Sequence, residues 1–92
     1  MNIVFDGLKN KKLKKERNVT FGMVIKKMAK GEILLDFKHP NKEKYPNQRI
    51  MVIELNSYPY CVPYLQTGDE IVLKTIFPDR RFKKLLKKGG KP

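Results

Sequence analysis

Apolar positions gather in the second half of the chain. Three runs, Ile50–Leu55, Tyr58–Leu65 and Ile71–Phe77, are rich in Ile, Val and Tyr, and only Asn56-Ser57 and Gln66-Thr67-Gly68-Asp69 separate them. Runs of this length, broken by turn-forming residues, predict strands joined by hairpins. Breaks this short cannot hold a crossover helix, so the three strands are expected to run antiparallel, as a meander. Upstream, Ile33–Phe37 predicts a further strand that delivers the chain to His39-Pro40. The polar segment Asn41–Asn47 carries Pro46 and reads as a loop, long for a hairpin and therefore a candidate lip or partner-binding loop. Asn2–Phe5 reads either as an edge strand or as an apolar segment packed on the sheet.

Two helices are predicted between these apolar segments. Leu8–Arg17 is built from Lys, Glu and Leu, which favour helix, yet only Leu8 and Leu13 are apolar, so this helix should lie on the surface. Asn18-Val19 breaks it, and Thr20 is a good N-cap for the next. Phe21, Val24, Ile25, Met28 and Ala29 then recur with helical spacing, giving one buried face. Lys26, Lys27 and Lys30 complement the C-terminal end of that helix, and Gly31 suits its stop. After Pro78, Phe82, Leu85 and Leu86 predict a short terminal helix beginning at Asp79. Seven Lys and Arg follow Asp79 with no acid, and residues 87–92 are expected to form a mobile basic tail. The whole, residues 1–92, reads as one α+β domain: two N-terminal helices on a three- to four-stranded antiparallel sheet, closed by a short C-terminal helix.

Within the meander, alternation puts Tyr58, Tyr60, Val62 and Tyr64 on one face of the middle strand and Pro59, Cys61, Pro63 and Leu65 on the other. The two prolines remove ladder donors, so this strand is expected to be bulged or partly unpaired. In the last strand Lys74 shares a face with Val72 and Ile76, where it must reach solvent, an anion or a carboxylate.

Charge changes the picture most. Twenty-one Lys and Arg stand against nine acids, a formal net charge of +12 with pI near 10.0. Such a field suits phosphate backbones or acidic protein partners. No run approaches the ~18 apolar residues of a membrane span. One cysteine, Cys61, leaves no internal disulfide framework and points to a reducing, cytoplasmic setting. With one Cys and one His, neither a metal site nor another cofactor is expected.

The candidate chemistry is a set of polar residues near strand ends. Metal-free RNA cleavage needs activation of a ribose 2′-OH, a cation on the charged phosphorane and an acid for the departing 5′ oxygen. His39, Glu54 and Tyr64 are candidate proton movers, and Arg49, Arg80 and Arg81 could grip phosphate, Arg being the better bidentate partner. Tyr60 could stack on a base, and Lys9, Lys12 and Lys74 could bind the RNA backbone. Each has a plainer reading as a strand former, a surface ion pair or a solvated charge.

The order of motifs resembles a known family. Phe5-Asp6, Lys9-Asn10, Leu13 and Glu16–Phe21 are similar to the opening of BrnT-like toxins. The later elements Leu34–Asp36, His39-Pro40-Asn41, Tyr45–Ile50, Tyr60–Tyr64 and Leu73–Arg81 are similar to a subgroup related to them. The resemblance, spanning Phe5 to Leu85, implies a RelE-like fold and the toxin of a type II toxin–antitoxin pair. The implied activity is a metal-independent endoribonuclease that inhibits translation, sequestered by a DNA-binding antitoxin with an acidic segment. The positions matching family sites are Arg49, Tyr64 and Arg80. The opposed expectation is a non-catalytic basic module that binds RNA or a protein partner on the same fold.

Overall fold

A computed structural model describes residues 2–86; the expected basic tail, 87–92, lies outside the described residues. The chain forms strand β1 (Asn2–Val4), helices α1 (Gly7–Arg17) and α2 (Phe21–Ala29), then β2 (Leu35–Lys38), β3 (Gln48–Leu55), β4 (Tyr58–Thr67), β5 (Glu70–Leu73) and β6 (Phe77–Pro78). A six-residue 3-10 helix, Arg80–Leu85, follows, with the Asp79 carboxylate accepting from the Arg81 N–H. The sheet order is β1-β5-β4-β3-β2, with β6 also pairing β4. The architecture is α+β as expected, but the sheet has more strands than the expected three or four, and it is mixed. Asn2–Val4 pairs in parallel with Glu70–Val72: the two helices deliver the chain to β2 running opposite to β1, and the three antiparallel steps from β2 to β5 bring β5 back to the direction of β1.

α2 forms as its spacing predicts. The Thr20 hydroxyl accepts from the Met23 N–H at 3.2 Å, and Phe21 and Val24 are fully buried. α1 buries only Leu13 and is tied down instead by polar contacts. Its Asn10 side chain accepts from the Phe21 N–H at 2.7 Å, and the Arg17 guanidinium donates to the Ile76 carbonyl at 2.6 Å. It stops where Asn18 turns left-handed, at φ 57°, and Val19 beyond it drops into the core.

β3 and β4 carry a core on each side, as two-residue alternation requires. Met51, Ile53, Leu55, Val62 and Tyr64 face the helices with Phe21 and Val24. Ile50, Val52 and Cys61 face the other way, covered by Phe37, Phe77, Phe82 and Leu85. The turn between these strands puts both Asn56 (φ 53°) and Ser57 (φ 64°) in the left-handed region, the two-residue hairpin geometry that matches strand twist.

The last predicted strand is broken. Leu73 pairs with Tyr64 and Phe77 with Cys61, so four steps on one chain span three on the other. This one-residue bulge lies in the partner of the proline-bearing strand rather than in that strand itself. Pro63 has no N–H to offer, and the Lys74 N–H donates to its carbonyl at 2.9 Å. The extra residue rotates Ile76 onto the helix-side core with Leu73, fully buried, and sends Phe77 to the opposite core. Lys74 is exposed and shares no face with Ile76, the reverse of simple alternation.

Two outcomes are expected from these placements. Ile76→Ala should lower unfolding free energy by about 2–5 kcal/mol, while Lys74→Ala should stay within about 0.5 kcal/mol; equal effects in urea melts would contradict the bulge. Ser57→Gly should raise stability by about 1 kcal/mol, since glycine takes φ 64° without the penalty a β-carbon brings.

Candidate functional site

The end of the sheet where β2 leaves and β3 begins collects most of the expected site. Arg49 and Tyr64 are direct cross-strand partners, and Asp36, one strand further out, lies diagonal to Arg49 on the same face. The Tyr64 hydroxyl donates to one Asp36 carboxylate oxygen at 2.6 Å, and Arg49 Nε donates to the other at 2.9 Å. Burial and the neighbouring carboxylate push the Tyr64 phenol up to about 12 from 10.0. The same carboxylate holds the Arg49 guanidinium above its ordinary value. Tyr64 is thus held neutral with its proton directed at Asp36, and Arg49 has one edge occupied. Asp36 is the residue that sequence reasoning passed over. The signal was present: an acid inside the apolar run Ile33–Phe37 needs a partner as surely as Lys74 did.

His39 comes next after β2. Its backbone N–H donates to Gln48, its Nδ1 accepts from the Asn41 N–H at 3.1 Å, and its ring lies 4.5 Å from that of Tyr45. An acceptor at Nδ1 leaves the ring proton on Nε2. The loop after His39 is organised by Asn41, whose side chain accepts from the Lys44 N–H and whose carbonyl accepts from the Tyr45 N–H. The loop therefore forms a fixed lip beside the imidazole.

Two open clefts meet at His39 and Gln48. One, of about 340 Å³, runs past Lys38, Lys42 and Arg49. The other, of about 400 Å³, runs past Tyr45 and Pro63 to Lys74, Thr75 and, from α1, Lys9. Among the described residues no acid lines either cleft. The bulge is what brings Lys74 here, and the turn of chain from β1 into α1 brings Lys9. Lys12 sits one helical turn from Lys9, in a smaller recess that also reaches Thr75.

The remaining candidates lie elsewhere. Glu54 is near the opposite end of β3, about 17 Å from Arg49 at the usual strand rise, in a cleft with Met23, Lys26 and Lys30. Tyr60 packs half-buried against the helix-side core and edge-on to Tyr58, which leaves it a poor stacking platform. Arg81 grips Asp79 at 2.6 Å and lies over Phe82. That pairing holds the Asp79 carboxyl below its ordinary value, and burial pushes the nearby Cys61 thiol up to about 12. Arg80 is exposed at the start of the 3-10 helix, beside β6. None of these four reaches His39: Glu54 and Tyr60 lie toward the Asn56-Ser57 turn, and β6, which leads into the 3-10 helix carrying Arg80 and Arg81, pairs with the Tyr60 end of β4.

A scan against protein-family models and searches of curated proteins and of solved structures found no match to this chain. Among the described residues no helix is long and apolar enough to cross a membrane.

The Tyr64–Asp36 bond has a pH signature. A phenol whose folded pKa is raised favours the neutral form, so its contribution to stability is complete below pH 10.0 and is lost as pH rises through about 12. Tyr64→Phe should cost about 1 kcal/mol at neutral pH. In denaturant titrations over that alkaline window, its stability should also fall less steeply than the wild type's.

Proposed function

We propose that this chain is a cytoplasmic RNA-directed toxin of a toxin–antitoxin pair, a metal-independent endoribonuclease on a RelE-like fold. The observation that carries the proposal is the meeting of two acid-free, cation-lined clefts at His39. Supporting it are the formal charge of +12 and the order of motifs that resembles BrnT-like toxins. Phosphates lying along Lys9, Lys74, Lys38 and Lys42 would be held in a field of one sign, and His39, which lines both clefts, has an Nε2–H to offer a phosphate oxygen. In the reaction, the ribose 2′ oxygen bonds to phosphorus and the P–O5′ bond breaks. Solvent water takes the 2′ proton and supplies one to the departing 5′ oxygen, giving a 2′,3′-cyclic phosphate and a 5′-hydroxyl. Lys9 and Lys74 stabilise the phosphorane charge, the largest contribution such a site makes. The partner that holds the toxin in check is an antitoxin with an acidic segment, complementary to the same field.

A second reading is favoured by a specific feature of the geometry. Tyr64 is committed to Asp36, Arg49 is half-committed to it, and His39 Nδ1 is engaged by Asn41. These groups are arranged to hold their protons, which suits a module that binds RNA without cutting it.

The test uses purified protein, EDTA, labelled RNA and matched DNA. Under the ribonuclease reading RNA alone is cut, with cyclic phosphate ends. His39→Ala, which removes a donor to the phosphorane oxygens, should then lower the rate by on the order of 10²-fold, a larger effect than on affinity. Lys9→Ala and Lys74→Ala should each reduce affinity and flatten the salt dependence by about 0.7 in the log–log slope. Intact RNA with the same salt behaviour selects the binding module. No RNA binding at physiological salt removes both.

A further inference from the structure

We infer that the recess between β1 and the end of β5 is a docking site for an acidic protein segment with an apolar anchor, and that a segment seated there competes with RNA for Lys9 and Lys74. The competition rests on the reading of the His39 clefts as the RNA surface; the docking itself does not.

The recess, about 360 Å³, is floored by Val4, Phe5, Val72 and Leu73, with Lys9 and Lys74 at its rim. Val4 and Phe5 are each 37 % exposed, unlike the other large apolar side chains near β5. Phe5 stacks on Phe21 at 5.0 Å, so the wall is fixed from behind by the helix-side core. The sole acid in the lining is Asp6, whose Oδ1 accepts from the Leu8 and Lys9 N–H groups; its charge is offset by the start of α1. β1 ends the sheet order, so its outer edge is open to main-chain pairing.

Each feature selects the occupant. An apolar floor offers little to a phosphate backbone, which needs only the lysines. A second copy of the chain would bring another +12 of like charge to a rim already cationic. A segment with carboxylates for Lys9 and Lys74 and a leucine-like side chain for the floor satisfies both chemistries at once. Because the same two lysines also line the His39 cleft, the two occupants cannot both pair with them.

The test compares three fluorescent peptides of equal length: Glu interspersed with Leu, Glu interspersed with Ser, and Lys interspersed with Leu. Anisotropy with the full-length protein should show the Glu–Leu peptide binding at least about tenfold tighter than Glu–Ser, the difference one buried apolar side chain supplies, and Lys–Leu not at all. Val4→Lys should abolish the Leu preference while leaving RNA affinity equal or higher, since it adds a cation and removes an anchor. Lys9→Ala, on the exposed face of α1, should weaken both ligands. Equal binding of Glu–Leu and Glu–Ser would overturn the site, leaving charge alone. Weaker RNA binding by Val4→Lys would reassign the recess to RNA, and a wild-type dimer that Val4→Lys converts to monomer would reassign it to a second copy. Peptide binding is read without RNA, so a protein that binds Glu–Leu but no RNA refutes the RNA reading and keeps the docking site. Binding of both at once, without displacement, refutes the competition.

Discussion

One extra residue between Leu73 and Phe77 decides how this molecule is built. A strand buried on both sides must deliver alternate side chains to two cores, and slipping by one residue exchanges them. Here the slip is made once, opposite Pro63, where the ladder has already lost a donor. Before it, Ile71 and Leu73 serve the helix-side core; after it, Ile76 continues that service and Phe77 turns to the opposite core. Without the bulge Phe77 would press toward the helices. Ile76 would then leave the core, and the far-side cluster of Ile50, Val52 and Cys61 would lose a wall. The same bulge turns Lys74 out to the surface, toward Lys9 and the clefts beside His39. Core packing and the basic site are thus consequences of one backbone irregularity.

The acids explain why the remaining positive field is so open. Asp6 caps α1, Asp36 joins Arg49 to Tyr64, Asp79 starts the 3-10 helix and holds Arg81, and Glu32 pairs with Lys27. Four of the nine acids in the sequence are therefore engaged in local structure. Among the described residues, the cations that reach the His39 clefts from α1, from the bulge and from the loop after β2 meet no carboxylate in the lining. Like charges gathered on one surface repel at a cost of a few tenths of a kcal/mol per close pair, and a bound polyanion relieves that repulsion.

Much of this was legible in the sequence. The helical spacing of Phe21 to Ala29, the Thr20 cap, the Asn56-Ser57 turn and the two faces of Tyr58–Leu65 follow from local rules, and local rules hold where neighbours in sequence are neighbours in space. The pairing of Arg49 with Tyr64 also lay within reach, since a two-residue hairpin fixes register along its whole length. What escaped were the features set at long range. The parallel placement of β1 depends on the path of two helices. The bulge depends on which strand absorbs the missing proline donor, and the sequence marks the prolines but not their partner. Arg80, Arg81 and Glu54 are grouped with His39 only by residue type; β6 and the direction of β3 separate them. Asp36 was overlooked because an apolar run drew attention away from the one charge inside it.

The geometry of His39 separates binding from chemistry. With Nδ1 accepting from the Asn41 N–H, the neutral imidazole carries its proton on Nε2 and can act there only as a donor. To accept a proton it must do so at Nδ1 and give up the Asn41 contact, a contact that also helps set the lip carrying Tyr45 and Lys44. Donation from Nε2 leaves the Asn41–Asn47 loop as it stands, whereas protonation at Nδ1 would break one of the contacts that hold it. A donor role for His39 is therefore compatible with this loop geometry, and a role as proton acceptor requires that geometry to change.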